Sequence, residues 1–151
     1  MIPDRLLEKD PHITGAASNY KAMRFKYVNL LVCAANGPVD ALVSPPSEHA
    51  WQAEPYRRAL LKKFPNTADL TSCFSRTGAV RAATKATLEE MVASLTYEPT
   101  GGEKDYRRLI IIDDIFHRGI TVSAIITHLQ QRGLRESCDV NVMCPLWLEG
   151  L

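Results

Sequence analysis

Leu109-Ile110-Ile111-Ile112-Asp113-Asp114-Ile115-Phe116-His117-Arg118-Gly119-Ile120-Thr121 is the stretch that decides the fold. Four successive apolar residues suit a short strand buried on both faces, because neighbouring strand side chains point to opposite sides of a sheet. Two carboxylates close the strand, and a loop with Gly119 and Thr121 opens onto a helical pattern. In open α/β sheets, ligands bind outside the carboxyl ends of the strands. Asp113 and Asp114 are adjacent and so point in different directions, which lets them bracket a ribose or a hydrated metal ion. Free N–H groups at the start of the next helix suit a phosphate. The same acids also serve as an acidic cap region for that helix, with no ligand implied.

Outward from this motif, elements alternate. Residues 120–132 read as a helix with Val122, Ile125, Ile126 and Leu129 on one face and Gly133 just past its end. A last strand covers 139–144. Upstream, 19–36 reads as a helix with Met23, Tyr27, Leu30, Leu31 and Ala34 aligned. A strand follows over 39–44, closed by Pro45-Pro46, then a helix over 55–64 with Pro55 in its first turn. Turn signals and a short strand near 70–74 precede a segment, 78–95, with Leu88, Met91, Val92 and Leu95 at helical spacing. Residues 97–105 read as a polar loop before the strand 108–113. The pattern predicts an α/β domain, a mostly parallel sheet flanked by helices on both faces, over 19–151, with 1–18 as a lead-in.

The 151 residues are 46% hydrophobic and 23% charged, with a net charge of +1. That balance suits one folded domain and gives no global pull toward nucleic acid or anionic lipid. No apolar run approaches the ~18 residues of a membrane span, and the N-terminus lacks the apolar stretch of a signal peptide. The expected location is cytoplasmic. The four cysteines, Cys33, Cys73, Cys138 and Cys144, form no Cys-x-x-Cys pair and read as plain thiols in a reducing compartment.

The motif resembles the phosphoribosyl-pyrophosphate (PRPP) signature of the type I phosphoribosyltransferases: apolar strand, two acids, two apolar residues, two small hydroxyl residues, Gly, any residue, Thr. Leu109–Ile112, Asp113, Asp114, Ile115, Phe116, Gly119 and Thr121 match it in order and spacing. His117 and Arg118 depart from it, standing where the family has small residues. Weaker similarity to the ComF-like (competence protein F) branch, which is associated with DNA uptake, rests on Lys26-Tyr27, Asp40–Val43 with Pro45-Pro46, Arg57-Arg58 and Ser75-Arg76. The Arg-Gly-x-Asn stretch of that branch is replaced by Tyr56-Arg57-Arg58-Ala59.

The resemblance implies transfer of a phosphoribosyl group from PRPP to a nitrogen base with release of pyrophosphate and with Mg²⁺ present. Asp113 and Asp114 would hold the ribose hydroxyls, directly or through metal-bound water. Ile115, Phe116, His117, Arg118, Gly119, Ile120 and Thr121 would hold the 5′-phosphate. The loop after the first core strand would hold the pyrophosphate, making Ser44 and Ser47 candidates, although Pro45 and Pro46 remove two N–H donors. Trp147 is a candidate for stacking on a base, with a packing role as its alternative. Arg76, Arg81 and Lys85 fall where the family has a closing loop, and read equally as a surface helix. Arg57, Arg58, Lys62 and Lys63 form a basic cluster that suits polyphosphate or DNA, or a solvated helix face. The implied partners are PRPP or a nucleotide monophosphate and a second copy of the chain in a homodimer. A catalytically inactive nucleotide- or PRPP-binding module, regulatory or associated with DNA uptake, is the alternative function.

Overall fold

Leu109, Ile110, Ile111 and Ile112 are each 2% exposed or less. Consecutive strand residues face opposite sides, so this strand is covered on both faces, as its unbroken apolar run predicts. The computed structural model describes residues 35–47, 53–77, 86–113, 115–116, 119–144 and 146–147, with 115–116 and 146–147 described by backbone alone. The elements treated below all belong to the compact unit Gly37–Leu151. Its strands are β1 (Ala41–Val43), β2 (Ala68–Asp69), β3 (Phe74–Arg76), β4 (Leu95–Tyr97), β5 (Arg108–Ile112), β6 (Ile115–Phe116), β7 (Asp139–Met143) and β8 (Leu146–Trp147). Its helices are α1 (Glu54–Lys63), α2 (Leu88–Ser94) and α3 (Ile120–Gln131).

The main sheet has the order β2-β1-β5-β7, and every pairing in it is parallel. Asp40 sets the register between the two inner strands. Its Oδ2 accepts from the backbone N–H groups of Arg107 and Arg108 at 2.8 and 2.9 Å, tying the start of β5 to the start of β1. Ala41, Val43, Leu109 and Ile111 face a core built from Phe74, Met91, Leu95, Tyr97, Val122, Ile125, Leu129 and Leu134. The antiparallel hairpin β3–β4 and helices α2 and α3 therefore cover that side.

Helix α3 ends as its sequence predicts. Gly133 has φ +104°, and the N–H groups of Gly133 and Leu134 donate to the carbonyls of Gln130 and Leu129 at 3.1 and 3.0 Å. This is a Schellman closure, which needs a residue tolerant of left-handed backbone.

Several expectations change. The helix expected over 19–36 lies outside the described residues except for 35 and 36, which are not helical. Of the segment 78–95, residues 78–85 lie outside the description, and the helix found is only α2. Its start is set by a capping box: Thr87 Oγ1 accepts from the Glu90 N–H, and Glu90 returns the bond to the Thr87 N–H. Leu88 is 38% exposed, and Leu95 opens a strand instead of closing a helix. The strand expected near 70–74 is a 3₁₀ turn at Thr71–Cys73 between two short strands.

The expected polar loop 97–105 contains a buried ionic anchor. Glu103 is 1% exposed and accepts from the Tyr97 hydroxyl (2.6 Å), the Thr100 N–H (2.6 Å) and the Thr100 hydroxyl (3.1 Å). Burial raises the carboxyl pKa, but these hydrogen bonds outweigh it and leave the group below its ordinary value. The Tyr97 hydroxyl is pushed up, by burial first and by Glu103 second. A depressed carboxylate stabilises the fold above its unfolded pKa of about 4.3 and loses that contribution as pH falls through the folded value. Tyr97→Phe keeps the ring stacked on Phe74 at 4.4 Å and removes only the donor. We expect it to cost about 1.5–3 kcal/mol at pH 7 in urea unfolding, with the deficit shrinking below pH ~4. A pH-independent deficit would contradict an ionised Glu103.

Candidate functional site

Parallel strands place their C-terminal ends along one edge. Across the sheet that edge carries Leu70-Thr71 after β2, Ser44-Pro45-Pro46-Ser47 after β1, Asp113 after β5 and Cys144 after β7. The chain leaves β1 for β2 on one side, and leaves β5 for β7 on the other. The gap between the ends of β1 and β5 is thus a topological switch point, where open α/β sheets form ligand crevices.

Asp113 lies at the β5 side of this gap. Asp113 is partly exposed, and its N–H donates to the Met143 carbonyl at 3.0 Å. Beyond it, β6 pairs with β8 in the same register that β5 keeps with β7. Asp113 follows the last pair of the first stretch, Ile112 with Met143, and the second stretch begins at Ile115 with Leu146. The pairing sets the backbone of Trp147 beside that of Phe116, so the base-stacking candidate and the motif share one sheet. Asp114, His117 and Arg118 lie outside the described residues, as do Arg81 and Lys85.

Gly119 supplies the turn into α3. It has φ +69° as the N-cap residue, a conformation glycine adopts without a Cβ penalty. As a glycine, the N-cap residue brings no capping side chain, and no acid occupies the first turn. The first N–H groups of an α-helix lack intrahelical acceptors, so this end offers donors and a positive partial charge to an anion. Ile120 is partly exposed and Thr121 is buried at 7%.

The loop after β1 differs in character. Ser44 is 5% exposed, and its N–H donates to Thr71 Oγ1 at 3.1 Å. Pro45 is buried, and Pro46 and Ser47 are partly exposed. Thr71 is held in turn, because its N–H donates to Asp69 Oδ1 at 3.1 Å. Asp69 also pairs through Oδ2 with Arg57 of α1.

Arg57 further makes two hydrogen bonds to Glu54, at 2.8 and 2.7 Å, and Arg58 makes one to the same carboxylate at 2.9 Å. The hydrogen bond from Arg57, supported by Arg58 and opposed by burial, holds the Glu54 pKa at about 2. The basic cluster expected over 57–63 is therefore half neutralised within the chain. Lys62 and Lys63 remain exposed, and the Lys63 ammonium lies 5.3 Å from the Phe64 ring centre.

Sequence reading missed the Arg57–Asp69–Thr71–Ser44 chain. Asp69-Leu70-Thr71 carried a usable signal, since an Asp two residues before a backbone N–H at a strand end forms an Asx turn. The pairing of Arg57 with Asp69 has no local signature.

No protein-family model matches the sequence, and no curated protein does. Among solved structures, the chain is similar to the hypoxanthine phosphoribosyltransferase of Staphylococcus aureus. In its tetragonal crystal form the TM-score is 0.48 at 16% identity, covering 83% of this chain and 65% of that one. Its orthorhombic form gives 0.44 at 15%, covering 83% and 61%. The adenine phosphoribosyltransferase of Thermoanaerobacter pseudethanolicus gives 0.49 at 16%, covering 87% and 84%. All three are phosphoribosyltransferases. This chain spans less than two thirds of the length of the hypoxanthine enzyme. Among the described residues, no helix is long and apolar enough to cross a membrane.

Thr71→Val removes the acceptor of the Ser44 N–H while keeping the side-chain shape. We expect a loss of about 1–3 kcal/mol in urea unfolding, since a buried donor is left unsatisfied, and recovery with Thr71→Ser. Equal stability of Thr71→Val and the parent chain would show that the bond does not hold the loop.

Proposed function

We propose that the switch-point crevice binds a phosphoribosyl compound, and that the protein is phosphoribosyltransferase-like in its ligand chemistry. The observation that carries this reading is the position of Asp113 at the switch-point end of β5, followed along the chain by the glycine-entered N-terminus of α3. An anion suits the helix end, and vicinal hydroxyls suit the carboxylates. In this reading the 5′-phosphate takes the N–H groups from Gly119 onward, together with the Thr121 hydroxyl. Asp113 and Asp114 accept from the ribose hydroxyls.

Mg²⁺ fits the donor set. The ion favours oxygen ligands and is commonly held by one or two carboxylates, its own waters and substrate phosphate oxygens, without a protein cage. Among the described residues no group of three His, Cys, Asp or Glu gathers into such a cage. Asp113 and Asp114 would hold the ion through water, and bound there it would supply charge neutralisation to the ligand's phosphate oxygens.

Two uses of such a site follow. A transferase would displace pyrophosphate from C1 of PRPP with a nitrogen nucleophile; the carboxylates would orient the ribose while the helix end fixes its phosphate. A binding or regulatory module would hold a phosphoribosyl nucleotide without that step. The committed N–H of Ser44 and the two prolines beside it favour the second use. A homodimer and a cytoplasmic location accompany either use, and DNA contact through Lys62 and Lys63 remains a weaker alternative.

Calorimetric titration with a nucleoside 5′-monophosphate and Mg²⁺ tests the shared claim. Asp113→Asn combined with Asp114→Asn is expected to weaken binding about tenfold to a hundredfold, from the loss of charge-assisted hydrogen bonds. Affinity unchanged by that double substitution would sink the reading.

A further inference from the structure

We infer that Asp69 and Thr71 are positioning residues for the ligand of the switch-point crevice, acting through the backbone of Ser44. This rests on the phosphoribosyl reading above and extends its site to the neighbouring strand end.

Val43 pairs with Ile111, so Ser44 leaves the sheet at the level of Ile112, one residue before Asp113. Neighbouring strands lie about 4.8 Å apart. A ligand at the switch point sits between the segments that leave β1 and β5, and is bordered by Ser44 as well as by Asp113. Ser44 is 5% exposed, and its N–H donates to Thr71 Oγ1 at 3.1 Å. Pro45 and Pro46 follow, and their rings fix φ, so the orientation of Ser44 carries into the next two residues.

The acceptor of this bond is itself held from behind. The Thr71 N–H donates to Asp69 Oδ1 at 3.1 Å, and Asp69 Oδ2 pairs with Arg57 of α1. One carboxylate thus turns the chain at Thr71 and ties that turn to a helix. The Leu70 N–H donates to the Leu42 carbonyl at 2.8 Å, which brings the same turn against β1. A buried N–H that loses its acceptor costs more than the bond contributed, so the chain shifts to find another. Without the Thr71 hydroxyl, Ser44 moves and Pro45-Pro46 follow it. A ligand bordered by that segment then binds less well, because the residues around it no longer stand in place.

Calorimetric titration of the full chain with adenosine 5′-monophosphate and Mg²⁺, on samples shown to be folded by circular dichroism, tests this. Thr71→Val is expected to weaken binding more than twofold and up to about tenfold, the range of one hydrogen bond. Thr71→Ser restores the acceptor and is expected to bind within about twofold of the parent chain. Tyr97→Phe loses a comparable stability at the Glu103 anchor and is expected to keep its affinity, which separates positioning from a general loosening of the fold. Thr71→Val binding like the parent chain would overturn this inference and leave the phosphoribosyl reading standing. Thr71→Ser as weak as Thr71→Val, or an equal loss in Tyr97→Phe, would overturn it as well. Should Thr71→Val not fold, Asp69→Asn replaces it: the change keeps an acceptor for Thr71, removes the charge that holds Arg57, and is expected to weaken binding more than about twofold. Unchanged affinity there would overturn the inference. No binding by the parent chain would overturn the phosphoribosyl reading and this inference with it.

Discussion

The parallel pairing of β5 with β1 and β7 is the constraint on which the rest of the molecule depends. It buries Leu109 to Ile112 on both faces and aligns four strand ends along one edge. Asp40 fixes the near end of this arrangement through two backbone N–H groups of β5. At the far end, the ladder continues past the acids into β6 and β8 without a change of register. Asp113 therefore lies between two stretches paired in one register, with its backbone tied to Met143.

The two segments that follow the inner strands differ in character. After β5 and β6, the N-terminus of α3 presents donors and partial positive charge, entered through a glycine in left-handed conformation. After β1, the loop has its first donor committed and its next two positions occupied by proline. In the proposed reading the first segment takes the phosphate, while the first three residues of the second hold no uncommitted backbone N–H. The asymmetry is built by tertiary hydrogen bonds running from α1 through Asp69 and Thr71, far from the acidic motif in sequence.

Legibility in the sequence followed the range of the interactions involved. The strand 109–112, the helix after it and the closure at Gly133 were readable because apolar runs, helical spacing and a left-handed glycine are local signals. The capping box at Thr87 and Glu90, which sets the start of α2, was equally local but went unread. Leu95 kept the helical spacing and yet joined a strand, because its hairpin pairing with Arg76 decided the matter. Glu103 looked like one polar loop residue among many, and only the approach of Tyr97 makes it a buried anchor. The acids, Gly119 and Thr121 were readable as candidate site residues from their order and spacing. The commitment of Ser44 to Thr71 was not, because it depends on the parallel alignment of β1 and β2.

The central claim is that a sugar phosphate settles between the end of β5 and the start of α3. Amide chemical shifts followed during titration with ribose 5-phosphate and Mg²⁺ test it most directly. The account predicts that the largest shifts fall on Gly119 to Val122 and on Asp113. Shifts centred on the Lys62–Lys63 end of α1, or none at millimolar ligand, would contradict it.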